Sequence, residues 1–195
     1  MPSQIRSVAV FCGSRPGHDP AHDAAARALG AGLAAAGMRL IYGGGGVGLM
    51  GAVAAGALAA GGAVQGVIPA FLLQAERAYL TATELEVTPS MHTRKTRMFE
   101  MADAFVTLSG GLGTLDETVE ILTWRQLGLH DKPVVILDIN GWARPFVALV
   151  EALIAQGFVA EQHRQLFEVA PDVPAALAVL RAAPLAEPAV PAARL

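Results

Sequence analysis

The chain has 195 residues, 53% hydrophobic and 16% charged, with a formal net charge of -3. That length suits one domain of ordinary size, and the balance of charge lacks the basic excess of a nucleic-acid binder. Cys12 is the sole cysteine, which excludes an intrachain disulfide and a cysteine-based metal site and fits a reducing compartment.

After Arg6, the apolar stretch Val8–Cys12 is shorter than the roughly 7–15 residues of a signal-peptide core. A cytoplasmic protein is expected. Ser7–Cys12 reads as a buried strand and Asp19–Ala36 as an alanine-rich helix. Arg39–Tyr42 is a second strand, followed by a helix over Gly48–Ala60. No charge occurs between Arg39 and Glu76, long enough to span a bilayer. The glycines at 43–46, 48, 51, 56, 61, 62 and 66, and then Pro69, break that stretch into separate elements, so no membrane span is expected. Val64–Val67 and the weaker Leu85–Val87 read as strands. Ser90–Ala102 is helical, Ala104–Leu108 a strand, and Gly113–Leu127 a helix. Val134–Leu137 is the clearest strand, and Trp142–Gln156 the next helix. Phe167–Val169 and Pro174–Arg181 complete the pattern.

Continuous apolar strands separated by helices specify a parallel sheet covered on both faces. The expected fold is a Rossmann-like, doubly wound α/β domain over residues 1–182, with a disordered Ala/Pro-rich tail at 183–195. Ligands of such folds bind beyond the carboxyl ends of the strands. Three strand ends there are polar or glycine-rich: Cys12-Gly13-Ser14-Arg15, the run Gly43–Gly48, and Ser109–Thr114. Glycine lets backbone approach a ligand, and a helix N-terminus offers N–H groups to a phosphate.

Gly46-Val47-Gly48-Leu49-Met50-Gly51 has the G-x-G-x-x-G form of a dinucleotide fingerprint. A dinucleotide site needs an acid about 20 positions on, and none occurs between Gly51 and Ala75. The loop reads as a phosphate or sugar loop, with tight packing as the alternative. Arg94 shares one helix face with Met91, Met98 and Met101. A guanidinium on an apolar face needs an anion, either an internal carboxylate or a ligand phosphate. Thr114 and Glu117 have the spacing of a capping box, so Glu117 is either a cap or a functional carboxylate at the mouth shared with Arg94. His92 suits a ligand-positioning or solvated role better than acid–base work. His18, His22, His130 and His163 show no metal-ligand spacing, and no metal is expected. Cys12 reads as a packed small residue, and Trp124 and Trp142 as core or subunit-interface residues.

Together these residues resemble the LOG ("Lonely Guy") family, cytokinin riboside 5′-monophosphate phosphoribohydrolases long mislabelled as lysine decarboxylases. The family signature P-G-G-x-G-T-x-x-E stands here as Ser109–Glu117, with serine where the family has proline. The second signature is the Arg94-Lys95 pair. Phe11–Ser14, Tyr42–Gly45, Val47–Gly51, Thr123-Trp124, Gln126–Gly128 and His130–Pro133 also match. Ala75-Glu76 replaces the family's Arg-Glu. The resemblance implies catalytic roles for Arg94 and Glu117. It implies substrate contacts at Ser14, Gly45, Gly46, Glu76, Met91, Lys95, Gly110, Gly111, Leu112, Gly113, Thr114 and Thr123. It also implies a homodimer acting on AMP or a cytokinin nucleotide, giving free base and ribose 5-phosphate without a cofactor. A molybdenum-cofactor or nucleotide carrier is the alternative. Lysine decarboxylation would need pyridoxal phosphate on a lysine, and the chain has only Lys95 and Lys132.

Overall fold

The computed structural model describes residues 5–74 and 83–186. Its seven strands are β1 (Ser7–Phe11), β2 (Arg39–Tyr42), β3 (Val64–Pro69), β4 (Glu84–Thr88), β5 (Ala104–Thr107), β6 (Val134–Leu137) and β7 (Glu168–Ala170). They form one sheet in the order β4-β3-β2-β1-β5-β6-β7. Every pairing is parallel. The chain winds outward from β1 in one direction through β4, then returns to β1's other side and winds out through β7. Val10 therefore pairs with Tyr42 on one side and with Val106 on the other.

Among the described residues six α-helices flank the sheet: α1 (Pro20–Ala35), α2 (Gly48–Ala59), α3 (Met91–Met101), α4 (Leu112–Gln126), α5 (Arg144–Ala155) and α6 (Val173–Ala182). Successive strand side chains point to opposite faces, so β1 serves two cores. Val8 and Val10 pack in a cluster with α1, α2 and α6, through residues such as Leu29, Val53 and Leu177. Ala9 and Phe11 pack in the other, with Met98 and Phe99 of α3 and Ile121 and Trp124 of α4. Burial on both faces is why the strand reads as an unbroken apolar run.

Side chains cap three helices. Asp19 accepts from Ala21 N–H ahead of α1, Ser90 from Thr93 N–H ahead of α3, and Asp172 from Ala175 N–H ahead of α6. α1 and α2 meet at bare backbone: a Cβ on Gly30 would lie 2.0 Å from the carbonyl oxygen of Val53. α5 starts at Arg144, two residues later than the sequence suggests, because Ile139–Gly141 forms a tight turn with Asn140 at φ 50°. A short helical turn over Glu161–Leu166, which carries no sequence signal, precedes β7. Ala183 and Leu185 pack against the larger core. The remainder of the Ala/Pro-rich tail, from 187 on, lies outside the described residues. No helix among those described is long and apolar enough to cross a membrane.

Candidate active site at the reversal of strand order

The strand order reverses between β1 and β5, and the carboxyl ends of these strands stay paired into their loops. Leu108 N–H donates to the Phe11 carbonyl (2.9 Å) and Gly13 N–H to the Ser109 carbonyl (3.0 Å). Above them opens a cleft of about 630 Å³, bounded by residues 12–17, Met50, Arg94, residues 109–114, Glu117 and Trp142. This is the crevice where doubly wound sheets place their ligands.

Arg94 reaches this cleft from α3 and is only 5% exposed. Its Nε donates to the Val67 carbonyl (3.1 Å) and its Nη2 to the Gly43 carbonyl (3.2 Å). Main-chain atoms of β3 and of the first residue after β2 thus fix the plane of the guanidinium. Position 43 must be glycine for this: a Cβ there would fall 1.9 Å from Nη2. The remaining nitrogen, Nη1, lies 3.8 Å from Glu117 Oε1 and 3.8 Å from the Met91 sulfur. At 3.8 Å the pair attracts as charges without a direct hydrogen bond. A buried guanidinium held by carbonyls and facing a carboxylate meets the requirement that its desolvation be offset.

Glu117 sits on α4 and is 9% exposed. The capping-box reading fails here. α4 begins at Leu112, its N-cap is Gly111, and no side chain caps it. Thr114 lies inside the first turn and Glu117 in the second, too far along to reach back to the cap. Thr114 and Thr118 are instead tied along the helix, the Thr118 hydroxyl donating to the Thr114 carbonyl (2.7 Å).

The two glycine loops differ in what they offer an anion. The first-turn N–H groups of a helix have no intrahelical partners. At α2, Leu49 N–H (3.0 Å) and Met50 N–H (3.3 Å) both donate to the Gly13 carbonyl. Two of the α2 first-turn donors are thus taken by backbone, and close packing accounts for Gly43, Gly44 and Gly48, where a Cβ would meet Arg94, Ile68 and Ser14. At α4, Gly111, Leu112 and Gly113 are exposed at the mouth of the cleft, Leu112 to 86%. That N-terminus is the one that opens onto the cleft.

The described residues include no group of three or more His, Cys, Asp or Glu side chains able to hold a metal ion. Residues 50–180 match the family model described as "Possible lysine decarboxylase". The cytokinin riboside 5′-monophosphate phosphoribohydrolase of Rhodococcoides fascians is 44% identical over 90% of this chain and 89% of its own length. The rice enzyme of that name, LOG, is 41% identical over 87% of this chain and 70% of its own. The chain belongs to the LOG phosphoribohydrolase family. Among solved structures, the molybdenum-cofactor binding protein of Rippkaea orientalis superposes with a TM-score of 0.69 at 22% identity, over 90% of this chain and 94% of that one. The molybdenum-cofactor carrier protein of Chlamydomonas reinhardtii does so at 0.66 and 23%, over 90% and 95%. At such identities these two report the fold alone.

Of the positions that the sequence resemblance implies, Ser14, Arg94, Gly110, Gly111, Leu112, Gly113, Thr114 and Glu117 border the cleft together. Others stand back from it. Gly45 is buried and Gly46 half-buried in the first glycine loop. Met91 supports Arg94 through its sulfur. The Lys95 ammonium is bound by Glu120 (3.0 Å) and Asp116 (3.2 Å). Desolvation lowers its pKa, but these two carboxylates outweigh it and leave the pKa raised. Thr123 returns its hydroxyl to the Val119 carbonyl on the exposed side of α4. Glu76 lies outside the described residues. Lys132 is buried with its amine on the Phe99 carbonyl (2.7 Å) and over the Phe99 ring. Neither lysine of the chain borders the cleft, so a lysine-bound cofactor has no anchor there.

Two cleft residues escaped the sequence reading. His22, in the first turn of α1, borders the cleft, its Nδ1 2.8 Å from the Ser109 hydroxyl. Trp142, expected in core or interface, donates its indole N–H to the Gly110 carbonyl (3.2 Å). Both follow strands that end at this crevice, β1 and β6. That placement is a signal sequence can give; metal-ligand spacing is not.

Proposed function

We propose that the chain hydrolyses the N-glycosidic bond of cytokinin riboside 5′-monophosphates and of AMP, releasing free base and ribose 5-phosphate. The buried Arg94–Glu117 pair beside the α4 N-terminus carries this reading. The phosphate of the nucleotide takes the N–H groups of residues 111–114, where helix geometry and dipole favour an anion. This places the sugar over Glu117. As the bond from C1′ to the base nitrogen breaks, positive charge builds on the ribose ring, as in glycoside hydrolysis. The Glu117 carboxylate stabilises that charge and takes a proton from the attacking water. The water oxygen keeps one proton and bonds C1′; the base leaves with the bond's electrons and takes up the proton passed on from Glu117, which restores the carboxylate. Arg94 cannot swing, because two carbonyls hold it, so Nη1 is a fixed donor for substrate oxygens and a fixed partner for Glu117.

Homologues bearing the phosphoribohydrolase name support the cytokinin nucleotide as substrate; AMP and a cytoplasmic site of action extend that reading. A homodimer is part of it, supported by the exposed apolar side chains Leu112, Val119 and Leu127 along one side of α4. Glu117→Gln keeps the side chain's size but loses the negative charge. Base release from isopentenyladenosine monophosphate is expected to fall by at least about 1,000-fold, of the order seen when a transition-state stabiliser is removed, with nucleotide affinity changed only a few-fold. Chromatography of the products checks this. Near wild-type turnover removes Glu117 from the mechanism. Nucleotide binding by the wild type without base release makes the protein a carrier, and adenosine plus phosphate makes it a phosphatase.

A further inference from the structure

Ser109 borders the cleft just past β5. The residue is buried, 5% exposed, and its hydroxyl lies 2.8 Å from His22 Nδ1 across 87 positions of sequence. Ser109 also opens the turn that leads into α4, and its carbonyl takes the Gly13 N–H (3.0 Å). The next carbonyl, of Gly110, takes the Trp142 indole N–H (3.2 Å). The two flanks are themselves joined: Asn140 Nδ2 donates to Asp19 (2.7 Å), the residue that caps α1 one turn before His22. Asn140 holds a left-handed φ of 50° to do so. Asparagine tolerates that region, and such outliers gather at functional sites.

We propose that His22, held by Ser109, is a specificity-determining residue that donates Nε2–H to the 5′-phosphate of the substrate nucleotide. The inference rests on the hydrolase reading above. Two arginines border the cleft: Arg15, exposed in the loop after β1, and Arg94, whose Nε and Nη2 are committed to carbonyls and whose Nη1 faces Glu117, so that Arg94 serves the sugar end. A phosphate on the α4 N-terminus lies next to Ser109, and the side chain fixed by Ser109 is an imidazole. In the tautomer with the Ser109 hydroxyl donating to Nδ1, the ring proton sits on Nε2, where an anion can take it.

The test compares binding of AMP with binding of adenosine by calorimetry, in wild type and in His22→Phe, His22→Gln, Ser109→Ala and Ser109→Pro. His22→Phe keeps the ring's bulk and removes the donor. AMP affinity is expected to fall about tenfold or more, the scale of a hydrogen bond to a charged group, with adenosine affinity unchanged. His22→Gln places an amide N–H near Nε2 and is expected to recover most of the loss. The Ser109 variants are expected to fall between. In 15N-labelled protein, ribose 5-phosphate should shift the His22 Nε2 resonance and ribose should not. Equal losses for AMP and adenosine, an unchanged AMP affinity in His22→Phe, or an unmoved Nε2 resonance overturns the proposal. In turnover, the KM of His22→Phe rises more than its kcat falls. A wild type that releases no base defeats the hydrolase reading alone, since the AMP–adenosine comparison still decides His22.

Discussion

At the scale of single residues, the site depends on where charges are held. Gly43→Ala tests this without touching a charged group. The new methyl would fall on Arg94 Nη2, so the guanidinium must leave the Gly43 carbonyl. We expect base release to drop at least tenfold. We also expect a loss of about 1–3 kcal/mol of stability, the range for overpacking a filled interior, read as a lower midpoint in urea. Away from the cleft, His130 gives a pH prediction. It is buried with Nδ1 accepting from Lys132 N–H (3.1 Å), so its proton sits on Nε2, which donates to the Ile121 carbonyl (3.0 Å). Burial lowers its pKa from an ordinary 6.5 to about 4. Between those values the unfolded chain binds a proton that the folded chain excludes, so stability falls as pH drops from 6.5 toward 4. The full effect is at most about 3 kcal/mol. His130→Gln should flatten this limb of a plot of thermal midpoint against pH; an unchanged slope assigns the acid limb to other groups. Arg94 was legible in the sequence from its helix face. His22 was not, because its partner Ser109 is remote in the chain.

At the scale of elements, the sequence identified strands and helices better than it identified their ends. β1 and β6 showed as apolar runs because both of their faces are buried. The cap of α4 was misread because Thr114 and Glu117 have the spacing of a capping box, whereas the real cap, Gly111, has no side chain to reveal it. The α2 N-terminus was read as a phosphate site because the sequence cannot show that the Gly13 carbonyl occupies its donors. The α1–α2 contact yields a prediction of its own. At Gly30 a Cβ would meet the Val53 carbonyl at 2.0 Å, and a backbone atom cannot turn aside. Gly30→Ala should cost more than the roughly 1–3 kcal/mol of ordinary overpacking, although alanine is the better helix former. A chemical-denaturation midpoint at or above wild type would show that the two helices can separate freely.

At the scale of the whole molecule, the parallel sheet with helices on both faces agrees with the architecture expected from strand and helix alternation. The position of the crevice follows from the strand order, which local pattern alone does not fix. Assembly is tested on α4. Val119 is half exposed, and Leu112 and Leu127 are 86% and 66% exposed. Val119→Glu places a charge in that stripe. Light scattering after size exclusion should give a dimer for wild type and a shift toward monomer for the variant. A monomeric wild type removes the dimer from the proposed function. Glu76 and the tail beyond 186 fall outside this comparison of sequence and structure.

The grip on Arg94 has a consequence for how this chain tolerates sequence drift. Two of its hydrogen-bond acceptors are main-chain oxygens of positions 43 and 67, and no substitution deletes a carbonyl. Position 67 can exchange valine for another β-former and still present the same oxygen. Position 43 cannot change at all without displacing the arginine. Variation at the seat of the buried charge is thus confined by geometry, with one position held to apolar residues by burial and its neighbour locked. A library randomised at both sites should recover a few apolar β-formers at 67 and glycine alone at 43.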